Sequence, residues 1–307
     1  MKIYYADTVP LLLPAGHRFP AEKYPRLRQR VFESQLFSIN ELIEAQPASK
    51  EQLLKVHTPE YLEKVMAGTL SEREQRRIGL PWTPELVDRS RRSVGGTIAA
   101  CLAAAREGMA AYLGGGTHHA YPDHGEGFCV FNDIAVAVRE LQARQIVQKI
   151  LILDCDVHQG NGTAFIFSND ANVFTFSIHG EKNFPFHKEQ SSLDIVLPDG
   201  SGDQDFLDAL ERGVATSMAN FRADLAVYIA GADPFSADRF GRLAMTKAGL
   251  LERDRLVFEY CLAVNLPLAI VMGGGYANQI EDIVDIHFQT ISLAYQYSQR
   301  YTGLKPL

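Results

Sequence analysis

The chain has 307 residues, is 46% hydrophobic and 22% charged, and carries 30 basic against 37 acidic side chains, for a formal net charge of −7. That length accommodates one large α/β domain or two small ones around a sizeable core. The acidic balance, without any basic run of five residues, excludes a dedicated nucleic-acid binder and a polybasic membrane anchor.

No apolar run approaches the ~20 residues needed to span a bilayer, and the first residues lack the apolar region of a signal peptide. A soluble, cytoplasmic protein with no membrane partner is expected. Oligomeric state is not encoded in any visible pattern. Residues 2–5 read as a short strand rich in β-formers. Residues 14–30, with Pro14, His17, Pro20 and Pro25, read as an irregular segment passing into a helix near 26–37. Thr58 and Pro59 form a helix start, a capping hydroxyl followed by proline at the first helical position. The helix over 60–66 then buries Tyr61, Leu62 and Val65. Residues 71–92 are strongly charged and hold Trp82, the only tryptophan. An exposed excursion is expected there, and Arg89 to Arg92 read as the start of a helix. The small residues of 93–105 predict a helix packed closely on a sheet.

From there the chain alternates. Apolar runs at 110–113, 149–154, 173–177, 225–229 and 268–272 predict strands. Helices are predicted near 131–145, 162–168, 205–220, within 232–263, and at 279–298, with 180–204 rich in loops. Continuous apolar strands alternating with helices predict a parallel sheet covered by helices on both faces. No repeat or linker interrupts residues 1–307, so a single domain is expected. Cys101, Cys129, Cys155 and Cys261 lie far apart in apolar surroundings without a C-x-x-C pair, which reads as reduced, buried thiols.

Four predicted strands run into polar or glycine-rich turns, and ligands in open parallel sheets bind just beyond such strand ends. Asp154, Asp156 and His158 share one face of an extended chain, with Cys155 and Val157 on the other. Two carboxylates and an imidazole together call for a divalent cation; a solvated turn is the alternative. Asp233 follows another strand end, either as a helix cap or as a third ligand that leaves one position open. His118 and His119 are adjacent, so their side chains diverge. They suit acid/base chemistry rather than one shared ion, or are satisfied core histidines. Tyr276 follows three glycines, as a core aromatic or as a hydroxyl presented to an oxyanion. Asn132 or Asp133 caps the next helix, and Phe128 is core or the wall of an apolar slot. No dinucleotide or P-loop motif is present, and no serine or cysteine has a nucleophile-elbow setting.

Together these turns resemble the zinc-dependent histone deacetylase family, which shares an arginase-like α/β fold with acetylpolyamine amidohydrolases and acetoin-utilisation proteins. The matching residues are Gly115 through Ala120, Gly127 to Cys129 with Asn132 and Asp133, Asp154/Asp156/His158, Gly231 to Asp233, and Gly274 to Tyr276. Their order and spacing agree over about 50–300. The resemblance implies Asp156, His158 and Asp233 as Zn²⁺ ligands, a set that can equally hold Fe²⁺. It implies His119 as general base and acid, His118 as its electrostatic partner, and Tyr276 as oxyanion donor. Asp154 then buttresses the histidines and, with Ser177, falls where many members bind a structural K⁺. Gly127, Phe128, Phe240 and Gly274 are implied in the substrate channel.

Two residues depart from the common pattern. Gln159 stands where most members have histidine, and Asn161 where class I members have aspartate. Both are similar to class IV deacetylases, which are associated with long acyl groups. Asn161 deprives His119 of a carboxylate partner and should lower its basicity. The extra carboxylates of a binuclear arginase centre are missing. The expected activity is hydrolysis of an N-ε-acyl-lysine amide on a peptide or protein. The rivals are a small-molecule amidohydrolase acting on acylated amines, and a non-catalytic binder of acyl-lysine.

Overall fold

The computed structural model describes residues 1–301. The apolar runs form eight strands: β1 (Lys2–Tyr5), β2 (Leu42–Glu44), β3 (Met109–Tyr112), β4 (Ile150–Asp154), β5 (Val173–Gly180), β6 (Leu193–Leu197), β7 (Leu225–Ile229) and β8 (Leu268–Val271). All pair in parallel, in the order β2-β1-β3-β8-β7-β4-β5-β6. Parallel pairing requires crossovers, and helices supply them. On one face lie α3 (Pro59–Ala67), α5 (Pro84–Glu107) and α6 (Asp133–Ala143). On the other lie α1 (Lys23–Glu33), α8 (Asp203–Asn220), α9 (Lys247–Ala263) and α10 (Ile280–Ser298). The shorter α2 (Lys50–Leu53), α4 (Glu72–Ile78) and α7 (Asn161–Phe167) complete the set.

Strand β4 shows why both faces must be covered. Ile150 and Ile152 enter one apolar core while Leu151 and Leu153 enter the other. Cys155 and Val157 continue into that second core, so the alternation read from sequence persists past the strand end. All four cysteines are buried free thiols. Among the described residues, no helix is long and apolar enough to cross a membrane.

Three regions depart from the expectation. Residues 71–92 are not an excursion: Ser71 and Glu74 form a capping box that starts α4, and Thr83 with Pro84 starts α5 nine residues before the small-residue stretch. Arg89 to Arg92 therefore lie inside α5. Trp82 is half-buried, and its indole Nε1 donates to the Val65 carbonyl at 2.7 Å. Within 180–204, β5 extends to Gly180 and β6 adds an edge strand. The short edge strand β2 pairs with β1; at three residues it has little periodicity to reveal it.

The strands that matter for function are neighbours. β3, β8, β7 and β4 are consecutive in the sheet. Tyr112 pairs with Val271, Ile229 with Val271, and Asp154 with Ile229. Four strand ends thus line up on one edge, and the four polar turns converge there.

Candidate active site

The turn after β3 carries the histidine pair, held by residues outside it. Buried Asp133 accepts from Gly116 N (3.0 Å), Thr117 N (2.7 Å), Thr117 Oγ1 (2.6 Å) and Thr97 Oγ1 (2.5 Å). The cap of α6 is Asn132, whose Oδ1 accepts from Ala135 N at 2.9 Å. Asp133 instead pins the histidine turn.

The two rings diverge to different partners. His118 Nδ1 meets Asp154 Oδ2 at 2.7 Å, and His119 Nδ1 meets the Asn161 amide oxygen at 2.6 Å. An amide oxygen only accepts, so Nδ1 of His119 carries the hydrogen and Nε2 keeps the lone pair. Burial lowers the pKa of both rings. At His118, Asp154 and Asp156 outweigh burial and raise it to about 9. At His119, burial and then the neighbouring charges of His118 and His158 hold it well below its ordinary value.

Beyond β4 and β7, Asp156, His158 and Asp233 each offer one ligand atom, all within 4.8 Å of one another and all buried. His158 Nδ1 is 3.0 Å from Asp156 Oδ1 and 3.2 Å from Asp233 Oδ2. The other carboxylate oxygens are occupied: Asp156 Oδ2 accepts from Gly274 N (2.7 Å) and Asp233 Oδ1 from Val157 N (2.9 Å). Asp233 Oδ2 is buried and accepts no well-formed hydrogen bond, although it lies 3.2 Å from His158 Nδ1. Burial and then the charge of Asp156 raise the Asp233 pKa to about 7. An orphaned carboxylate oxygen facing a second carboxylate and an imidazole is a donor set that fits a divalent cation. No Cβ fits at Gly274, because it would come 1.9 Å from Asp233 Oδ2.

Asp154 and Ser177 are register partners on β4 and β5. Asp154 is engaged by His118 and by Asp156 N (3.2 Å), and Ser177 Oγ by His179 Nδ1 (2.9 Å). Tyr276 is buried beside His158, with ring centroids 6.4 Å apart, and its backbone N–H donates to Asp238 Oδ2 at 2.6 Å. A cavity of about 750 Å³ leads from His119, His158 and Tyr276 to solvent, walled by Gly127, Phe128 and Phe240 among others. Gly127 (φ 55°) and Phe128 (φ 66°) are both left-handed. A Cβ at Gly127 would approach His119 Cδ2 to 2.6 Å.

The expected site residues gather at one sheet edge, and Gln159, in the same turn, engages the segment before β6. Its amide donates to Glu189 O (2.7 Å) and Asp194 Oδ1 (2.9 Å) and accepts from Glu189 N (2.9 Å), tying the segment before β6 to the site turn. Sequence reasoning missed four contributors. Phe184 sits edge-on to His119 with centroids 4.9 Å apart. Asp238 fixes the backbone of Phe240, Gly241 and Tyr276. Lys23, buried, donates to the Gly275 carbonyl at 3.3 Å. Fully buried Arg253 donates to the Gly231 carbonyl at 2.5 Å and the Cys155 carbonyl at 3.4 Å, beneath the turns that carry the Asp–His–Asp cluster.

The structure is a parallel α/β fold with a candidate metal site, a buried Asp–His–Asp cluster and a histidine pair at the carboxyl edge of the sheet. The family model for the histone deacetylase domain matches residues 17–291, and the chain belongs to that family. An uncharacterized protein of Picosynechococcus is 45% identical over 93% of this chain and 95% of its own length. A histone deacetylase-like amidohydrolase of Pseudomonas aeruginosa is 32% identical over 75% of this chain and 64% of its own. An HDAC homologue solved in complex with SAHA superposes with a TM-score of 0.84 at 23% identity, over 99% of this chain and 85% of the other. At that identity the likeness is one of fold.

Proposed function

We propose that the protein hydrolyses the amide of an acylated amine, an N-ε-acyl-lysine above all, at a single divalent metal held by Asp156, His158 and Asp233. The observation that carries this reading is the orphaned Asp233 Oδ2 facing Asp156 and His158, with a histidine pair beside it. When bound, Zn²⁺ or Fe²⁺ polarises the amide carbonyl and acidifies a water. Everything else falls to the chain's own groups. Nε2 of His119 takes the water's proton and returns it to the leaving amine. His118, kept cationic by Asp154, supplies positive charge next to the developing anion. The Tyr276 hydroxyl donates to the tetrahedral oxygen. Phe128, Phe184 and Phe240 exclude water from the acyl-lysine stem. A monovalent cation near Asp154 and Ser177, K⁺ in this reading, stiffens the histidine support. Asn161 and Gln159 favour a class IV-like enzyme with tolerance for longer acyl groups.

The test is turnover of acetyl- and longer-acyl-lysine peptides by the metal-loaded protein. Tyr276→Phe should retain its metal, measured by elemental analysis, and lose about 10²–10³-fold in kcat. Undiminished turnover in that variant removes Tyr276 from the chemistry. A wild-type protein that binds metal and acyl-lysine without cleaving it establishes the binder instead.

A further inference from the structure

The cavity that opens from the site carries five basic side chains, Arg18, Arg77, Lys182, Arg239 and Arg242, against one acidic, Glu126. The chain as a whole is acidic at −7, so this excess is local to the mouth. Arg77 is paired with Glu126 at 3.4 Å and Arg242 with Asp199 at 3.2 Å. Arg18, Lys182 and Arg239 have no carboxylate partner among the described residues. Arg239 is fixed by other means: its Nε donates to the Tyr276 carbonyl at 2.7 Å and its second nitrogen to the Arg18 carbonyl at 2.8 Å. The Arg18 guanidinium stands 5.4 Å over the Phe240 ring. The mouth therefore presents uncompensated positive charge around aromatic walls, and low-dielectric walls focus such a field.

We propose that the mouth selects acylated amines that carry carboxylates close to the acylated nitrogen, and rejects acylated polyamines, whose remaining ammonium groups meet the same field. Acyl-lysine among Asp and Glu residues, or α-N-blocked acyl-lysine with its own free carboxylate, supplies that chemistry. The proposal rests on the acyl-amide hydrolase reading and names the substrate class within it. The experiment compares acetyl-lysine peptides with acidic, neutral and basic flanks, α-N-blocked N-ε-acetyl-lysine with a free carboxylate, and an acetylated diamine, each at low and high salt. The acidic peptide should lead the basic one by about tenfold in kcat/KM at low salt, and the gap should shrink as salt screens it. The Arg18→Glu/Lys182→Glu double variant should abolish that lead. Its melting temperature and metal content, both as in the wild type, will show that the variant is intact, both side chains being exposed. The ratio of the acidic peptide to the α-N-blocked acetyl-lysine distinguishes the two carboxylate sources. Equal rates across all flanks, or a lead for the basic peptide or the diamine, overturns the proposal. If no substrate is cleaved, the hydrolase reading fails. Dissociation constants of the uncleaved peptides then decide the mouth: tighter binding of the acidic peptide upholds it, equal binding overturns it.

Discussion

His118 and His119 are chemically identical and one residue apart, yet their partners set them against each other. Asp154 lies against His118, whereas the neutral amide of Asn161 lies against His119. In Asn161→Asp, a carboxylate at the same 2.6 Å position would favour the protonated ring and raise the His119 pKa. In the proposed mechanism His119 is the general base, which works only when deprotonated, so a raised pKa removes activity earlier on acidification. The acid limb of the kcat/KM profile should move to higher pH by about one unit or more. An unmoved limb would show that Asn161 does not govern the base. The same residue explains why an Asn could be read from sequence as meaningful: only its position relative to a recognisable motif singled it out.

At the scale of elements, the site depends on α9 as much as on the strands that bear the Asp–His–Asp cluster. Arg253 of α9 reaches beneath the sheet edge to the Gly231 and Cys155 carbonyls, and its charge is met by Asp254 at 2.8 Å. Asp254 also accepts from Tyr228 (2.6 Å) and Thr290 (2.5 Å), so three elements meet in one buried network. Arg253→Leu would strand the Asp254 carboxylate without its cation, a loss of about 3–5 kcal/mol for a broken buried pair. Urea unfolding should read that loss. A change below about 1 kcal/mol would place the network's stability elsewhere. None of this was legible in the sequence. The strand ends were legible because polar residues break continuous apolar runs there, and the adjacency of β3, β8, β7 and β4 turns that local signal into one site. Arg253, Asp238 and Phe184 lie on a helix or in loops, and only long-range contacts give them a role. Helix α4 was hidden differently. Its capping box at Ser71 and Glu74 stood in the sequence, but its charged surface masked the fact that Ile78 is buried.

For the whole molecule, the sheet edge gathers buried carboxylates whose mutual repulsion the proposed cation would relieve. Asp154, Asp156 and Asp233 are all buried at that edge. Asp156 is held well below the ordinary carboxylate range: burial opposes this, and His118 and His158 outweigh it. Asp233 is pushed the other way, by burial and then by the charge of Asp156. Folding must therefore desolvate these groups before any ion repays the cost. A ligand that binds only the folded state stabilises it by mass action, about 4 kcal/mol at a thousandfold excess over its dissociation constant. Chelator-stripped protein should melt at a lower temperature than metal-loaded protein, and Zn²⁺ added back should restore the difference. The Asp156→Asn/Asp233→Asn double variant should lose that response while melting no lower than the stripped wild type, because it removes both carboxylate ligands together with their repulsion. Scanning calorimetry of the four samples checks this. A variant that still gains stability from Zn²⁺ would move the metal away from these residues, and a stripped wild type as stable as the loaded one would mean that the edge holds its charges without an ion.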